Sequence, residues 1–290
     1  MTYRCFDVQV LGKVAHVRLS RPEELNTMVA EFWRELPEIV TGLSDSGTCR
    51  AVVLSSTGRH FSAGMDLSVF SGLGPGGQAA NGPGSSGQDD AAELGRRQAR
   101  LRSSARLLQW SFTALEKARM PVIAAVQGGV VGGAVDLVTA CDVRYASADA
   151  FFVVQEINIG MTADVGTLQR LGKVVNEGFA RETAYTGRRV PAQRAFEVGL
   201  VQQVYPDHDA LVAGALETAH EIAAKSPLAV WGTKVAMNYA RDHSVDDGLD
   251  QIATWQAGMF QQADMVEAFA AGAEGRAPEF PDLLPEPTGL

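Results

Sequence analysis

The chain has 290 residues, with 25 Lys plus Arg against 34 Asp plus Glu, a formal charge of −9 and 46 % hydrophobic content. That composition supplies a full core and excludes a disordered chain. The acidic balance excludes non-specific nucleic-acid binding, which needs a basic face. Three widely spaced cysteines (Cys5, Cys49, Cys141) form no CxxC pair, so neither a disulfide framework nor a zinc knuckle is suggested. No apolar leader opens the chain, and the apolar stretch 120–135 is shorter than the ~20 residues of a membrane span. A cytoplasmic protein with no membrane partner is expected.

Residues 6–10 and 14–19 alternate apolar and polar side chains around Gly12-Lys13, which predicts a β-hairpin. Val29, Phe32, Leu36, Ile39, Val40 and Leu43 recur at helical spacing. The apolar runs 51–54 and 121–126 read as buried strands. Strand and helix then alternate to about residue 204, which predicts an α/β core of stacked units. The stretch 71–90 interrupts that pattern. Seven Gly, three Ser and two Pro among its 20 residues predict an irregular, mobile insertion, and a helix over 91–117 follows. Beyond 204 the pattern is helical. Leu211, Val212, Ala215, Leu216, Ala219 and Ile222 form one stripe, Ser226-Pro227 is a helix start, and Ser244-Val-Asp-Asp247 suits a capping box. Four prolines in the last 14 residues predict a loosely ordered tail. The expected organisation is a core over 1–204, a helical region over 205–276 and a tail over 277–290.

No GxSxG elbow, HExxH site, P-loop or EF-hand loop is present. The five histidines share no motif, so no metal site is expected. Two glycine turns follow predicted strands: His60-Phe-Ser-Ala-Gly-Met-Asp66 and Gly128-Gly-Val-Val-Gly-Gly-Ala-Val-Asp136. Each places backbone N–H groups at a strand-to-helix turn. The N–H groups of Met65 and Gly133 could together hold one developing negative oxygen, or the glycines could serve tight packing alone. Three carboxylates stand in apolar settings: Asp136, Glu156 and Asp164. A buried carboxyl needs a partner, a raised pKa or a cleft. A raised pKa suits proton transfer at carbon, while a helix cap or ion pair would be structural. Asp142 and Arg144 read as a structural pair.

Together these residues resemble the crotonase, or enoyl-CoA hydratase/isomerase, superfamily. Arg21-Pro-Glu-Glu-Leu-Asn26, the turn at 60–66, Pro121-Val-Ile-Ala-Ala-Val-Gln-Gly128 and Gly132-Gly-Ala-Val-Asp136 carry the resemblance, which runs from about 6 to 270. It implies an α/β spiral of stacked ββα units with a C-terminal helical region, and a trimer or hexamer. The stretch from Val135 through Asp149-Ala-Phe-Phe-Val-Val-Gln-Glu156 to Leu171, then Ser226-Pro-Leu-Ala-Val and Arg241 to Trp255, is similar to the dienoyl-CoA isomerase branch. Hydratases have two glutamates at the positions of Asp136 and Glu156 and do not share the third acid.

The resemblance implies an acyl-CoA thioester substrate and no metal or redox cofactor, in the breakdown of unsaturated fatty acids. The N–H groups of Met65 and Gly133 would polarise the thioester carbonyl. Glu156 would act at C2, Asp164 at C6, and Asp136 would stabilise the charge between them. The backbone of Ser62 and Ala63 would meet coenzyme A, with Arg21 or Arg59 facing its phosphates. Ala134 departs from the usual third glycine, Met65 from the alanine of hydratases, and the 71–90 insertion from the branch's usual length. An enoyl-CoA hydratase or other crotonase-type enzyme is the competing reading, and a non-catalytic acyl-CoA-binding protein is the alternative of another class.

Overall fold

The computed structural model describes residues 2–66, 69 and 89–287. Of the Gly/Ser-rich stretch 71–90, residues 71–88 lie outside the described residues.

The N-terminal hairpin forms as its alternation predicts. Strand β1 (Phe6–Leu11) pairs antiparallel with β2 (Val14–Leu19). The chain then crosses through helix α1 (Ala30–Asp45) to β3 (Ala51–Ser56), parallel to β2. Helix α2 (Asp89–Lys117) leads to β4 (Val122–Val126), parallel to β3. There follow β5 (Gly129–Val131), α3 (Gly133–Thr139), β6 (Val143–Ser147) and β7 (Phe151–Val153). Next come α4 (Thr167–Val174), α5 (Glu177–Thr186), β8 (Val190–Pro191), α6 (Ala192–Glu197) and β9 (Gln203–Tyr205).

The large sheet runs β1-β2-β3-β4-β6-β9 and the small one β5-β7-β8. The two are threaded by one repeating path. A large-sheet strand is followed by a segment on the small sheet, so β4 leads to β5 and β6 to β7. After β3 the second element shrinks to a single bridge, Ser62 against Val130 of β5. This is the stacked ββα arrangement, with a β-segment interposed between strand and helix after β3, β4 and β6.

Strands β3 and β4 are buried throughout because both faces are covered. Side chains alternate along a strand. Val52, Leu54, Val122, Ala124 and Val126 therefore join the core that includes Phe32, Leu36 and Phe112. Ala51, Val53, Ile123 and Ala125 face the other way, onto Leu211, Ala215, Ala219 and Ala223. Those four lie every fourth residue along α7 (His208–Ala223), so they form one stripe. The helices α8 (Pro227–Ala240), α9 (Val245–Met259) and α10 (Gln262–Glu274) follow. Ser226 caps α8 by accepting from Ala229 N–H at 3.3 Å, and Ser244 with Asp247 forms the capping box of α9.

One expectation needs correction, and another needs detail. Asp142 and Arg144 do not pair. The Asp142 carboxylate accepts from Val122 N–H and from the buried Lys234 ammonium, both at 2.8 Å, while Arg144 donates to the carbonyls of Leu200 and Cys141. Asp142 stands before β6 begins, where the start of β4 and Lys234 reach it, while Arg144 lies within β6 and bonds toward Leu200. In the tail expected to be loosely ordered, residues 282–286 carry bonds to distant parts of the chain. Arg50 donates to Asp282 at 2.8 Å, and Arg119 donates to Leu284 O at 3.0 Å. Glu286 N–H closes onto Asp45 O at 2.8 Å.

Candidate active site

The first turn is fastened from two sides. Residues Pro22–Glu24 form one 3-10 turn, and Leu25 and Asn26 follow with φ of 51°. That unusual backbone turns the Asn26 side chain inward. Its Oδ1 accepts from Arg21 N–H at 2.8 Å, and its Nδ2 donates to Thr57 O and His60 O at 2.8 and 3.1 Å. Ser62 Oγ donates to Asn26 O at 2.8 Å. On the far side, Ser62 N–H donates to Gly129 O and Val131 N–H to Ser62 O, each at 3.1 Å. Met28 N–H donates to Gly64 O at 2.9 Å, which fixes the residue before Met65.

Gly64 sets how closely the two turns approach. Its φ is +88°, and a Cβ there would lie 2.5 Å from Val131 O and 3.5 Å from Gly133 N. Only glycine has that backbone and that clearance. A Cβ on Gly133 would in turn lie 3.9 Å from Met65 N. The N–H groups of Met65 and Gly133 are thus neighbours. Neither donates to another group among the described residues. Gly133 opens α3, where the first N–H groups lack partners within the helix. Two adjacent, unengaged donors can hold one oxyanion.

The three acids differ in burial. Asp136 is fully buried on α3. Its Oδ1 accepts from Thr167 N–H at 2.5 Å, and its Oδ2 has no partner. Burial pushes its pKa up to about 6, against the opposing bond from Thr167. Glu156 is half-buried, with Oε1 3.1 Å from where a Cβ on Gly132 would stand and Oε2 buried without a partner. Burial, and the neighbouring charges of Asp136 and Asp164, push its pKa up to about 7. Asp164 is exposed rather than set in an apolar cleft. Its charge nonetheless raises both other carboxyls, so the three share one field.

The candidate coenzyme A contacts separate. Arg21 is buried, donates to Thr27 O at 2.8 Å and pairs with Glu24, so its guanidinium is engaged within the chain. The backbone of Ser62 is taken up by β5, whereas the Ala63 carbonyl carries no hydrogen bond within the described chain. Arg59 is exposed. It stands with Arg189 near His60, whose pKa is lowered by burial and then by these two cations. Arg189 lies 3.2 Å over the Phe151 ring. Arg189 escaped the sequence reading because the Arg188-Arg189 pair has no periodicity that points to a site. Thr167 escaped it because a backbone donor leaves no mark on residue type.

On this two-sheet α/β spiral, paired backbone donors beside clustered acids can hold an oxyanion while a proton is moved. The chain matches the enoyl-CoA hydratase/isomerase family over residues 10–84 and 79–283 and belongs to that family. It is 44 % identical over 262 residues to the mitochondrial Delta(3,5)-Delta(2,4)-dienoyl-CoA isomerase of Rattus norvegicus, covering 90 % of this chain and 76 % of that one. It is 39 % identical over 272 residues to the peroxisomal Delta(3,5)-Delta(2,4)-dienoyl-CoA isomerase of Arabidopsis thaliana, covering 94 % of each. The crystal structure of the enoyl-CoA hydratase from Bacillus anthracis shares the fold, with a TM-score of 0.81 at 28 % identity over 96 % of this chain and 99 % of that one.

Proposed function

We propose that the chain isomerises 3,5-dienoyl-CoA to 2,4-dienoyl-CoA in the breakdown of unsaturated fatty acids. The observation that carries the reading is the pair of buried, partnerless carboxyl oxygens, Asp136 Oδ2 and Glu156 Oε2, beside two unengaged N–H groups. Relatives of that name at 44 % and 39 % identity support it.

The Met65 and Gly133 N–H groups receive the thioester oxygen. Charge then develops on that oxygen when a proton leaves C2, and the negative charge spreads through the conjugated chain. Glu156 takes the C2 proton. With a pKa near 7, both its ionised and neutral forms are populated at neutral pH. Asp164, at the other end of the chain, delivers a proton to C6. One proton leaves, one arrives, and two double bonds shift by one position. Asp136 tunes the field between them. Arg59, with Arg189 beside it, faces the coenzyme A phosphates, and the Ala63 backbone meets the pantetheine arm.

The test is a spectroscopic assay with 3,5-octadienoyl-CoA, run beside hydration of a 2-enoyl-CoA. Rising absorbance of a diene conjugated with the thioester is expected. Asp164→Asn should lower that rate by about 10²–10⁴-fold, the usual worth of one acid–base group. Brisk hydration without isomerisation would make the chain a hydratase. Binding without turnover would make it an acyl-CoA carrier. The active form is a trimer or hexamer, which light scattering reads as mass. Among the described residues no helix is long and apolar enough to cross a membrane. We place the chain in the cytoplasm, and cell fractionation tests that against the mitochondrial and peroxisomal locations in the relatives' names.

A further inference from the structure

Helix α2 carries Gln109, Thr113 and Glu116 at i, i+4 and i+7, a spacing that puts them on one face. All three grip the segment that bears Asp164. Gln109 Nε2 donates to the carbonyl of Asp164 itself at 2.8 Å. Arg170, on α4, donates through Nη2 to Glu116 at 2.7 Å and to Thr113 Oγ1 at 3.2 Å. Its Nη1 reaches Val165 O at 3.4 Å. Glu116 is held from a third direction by Arg241 at 2.9 Å, just past the end of α8.

The guanidinium is lodged where a side chain would otherwise be. Gly166 has φ of +137°, and a Cβ on it would lie 1.7 Å from Arg170 Nη1. Gly166 is also the residue before Thr167, whose N–H donates to Asp136 at 2.5 Å. One cation therefore fixes the carbonyl after Asp164 and the turn that aims a donor at Asp136. Both the Arg170–Glu116 partners are largely shielded, with side-chain exposures of 12 % and 16 %.

We propose that Gln109 and Arg170 are positioning residues. In this arrangement the polar strip of α2 clamps the 164–170 segment, so that the Asp164 carboxyl meets the far end of the substrate while Asp136 stays hydrogen-bonded. The proposal rests on the isomerase reading above. Burial favours neutral Glu116, but the bonds from Arg170 and Arg241 outweigh it and hold the carboxyl below its usual range, so the clamp is a fixed ion triad. Besides Thr167, the groups acting on Asp136 are the Arg170 cation and the Asp164 anion. Displacement of a reacting group by about 1 Å can cost 10²-fold in rate, so a clamp on the Asp164 backbone bears directly on turnover.

The experiment separates the two ends of the reaction. Wild type, Gln109→Ala, Arg170→Lys and Asp164→Asn are assayed in D2O with 3,5-octadienoyl-CoA. Isomerisation is followed by absorbance, and deuterium uptake at C2 of recovered substrate by mass spectrometry. Gln109 is exposed, so its truncation leaves the core intact. For Gln109→Ala, kcat for isomerisation should fall about 10-fold with KM within two-fold and C2 exchange unchanged. Arg170→Lys keeps the charge but not the fork, and should fall further while also keeping C2 exchange. Equal loss of isomerisation and exchange, or no loss in either variant, overturns the proposal. An Asp164→Asn variant with full isomerisation would overturn the underlying reading and the clamp's purpose with it. An inactive Asp164→Asn beside a fully active Gln109→Ala would overturn the clamp alone.

Discussion

Asp136 pairs one oxygen and leaves the other sealed from water without a partner. Its pKa rises from 3.8 to about 6 through burial, which makes its charge a cost to folding. Below pH ~3 the carboxyl is neutral in both states and costs nothing. As pH rises from 3.8 through 6 the unfolded chain ionises before the folded one, and the cost builds to a plateau on the order of 3 kcal/mol from a shift of about two pH units. Asn keeps an oxygen for the Thr167 N–H and removes the charge. Asp136→Asn should therefore raise the thermal midpoint at pH 8, leave it nearly unchanged at pH 3, and slow isomerisation. An equal change at both pH values would mean that the buried charge is not the cause. Asp136 and Glu156 were legible in sequence because each interrupts an apolar run. Asp164 was legible as an acid but not in its exposure, since Met161 and Thr162 before it are also open to solvent. The bonds that Arg21 makes within the chain were not legible, because the turn around it carries Asn26 at φ 51°, a conformation that residue type alone does not fix.

At the scale of elements, the oxyanion site exists because two strand-following turns meet at Gly64. A methyl group there collides with Val131 O, a backbone atom that β5 and β7 hold in place. Gly64→Ala must push the first turn outward, carrying the Met65 N–H away from the Gly133 N–H. The expected result is a kcat lower by about 10²–10³-fold, the worth of one oxyanion donor, with only a modest fall in urea midpoint. Unchanged turnover in a folded Gly64→Ala would remove Met65 from the site. Both glycine turns could be read from sequence because glycines recur where a side chain would block the approach. Strand β5 could not. Its three residues, Gly129–Val131, are too few to show alternation, and it forms only because Ser62 and β7 flank it. The α2 strip was hidden for a related reason. Its grip on the 164–170 segment joins residues about 55 apart in sequence, as in Gln109 and Asp164.

Across the whole molecule, α/β alternation and the α7 stripe foretold the two-faced core, because both are periodic. The tail's anchors were not legible because proline content reports local order and not distant partners. Three cations far away in sequence hold it. Arg50 binds Asp282 and the Phe280 carbonyl, Lys13 binds Asp282, and Arg119 binds Leu284 O and Glu286. Arg50 and Arg119 have side-chain exposures of only 9 % and 10 %, so their partners cannot readily be replaced by water. Ending the chain after Arg276 strands two shielded guanidiniums. Each keeps one internal partner, Arg50 the Ala223 carbonyl and Arg119 the Ser44 carbonyl, which limits the damage. Loss of one side of a shielded ion pair is worth about 3 kcal/mol, and the truncated protein should unfold at a clearly lower urea concentration. Its kcat/KM should stay within about two-fold, because the tail's bonds reach none of the three acids and neither oxyanion donor. Asp282→Asn should show the same direction at smaller size. If truncation instead abolished turnover in a folded protein, the tail would have to act on the site through the assembled oligomer, and mass measured before and after truncation would show whether assembly had been lost with it.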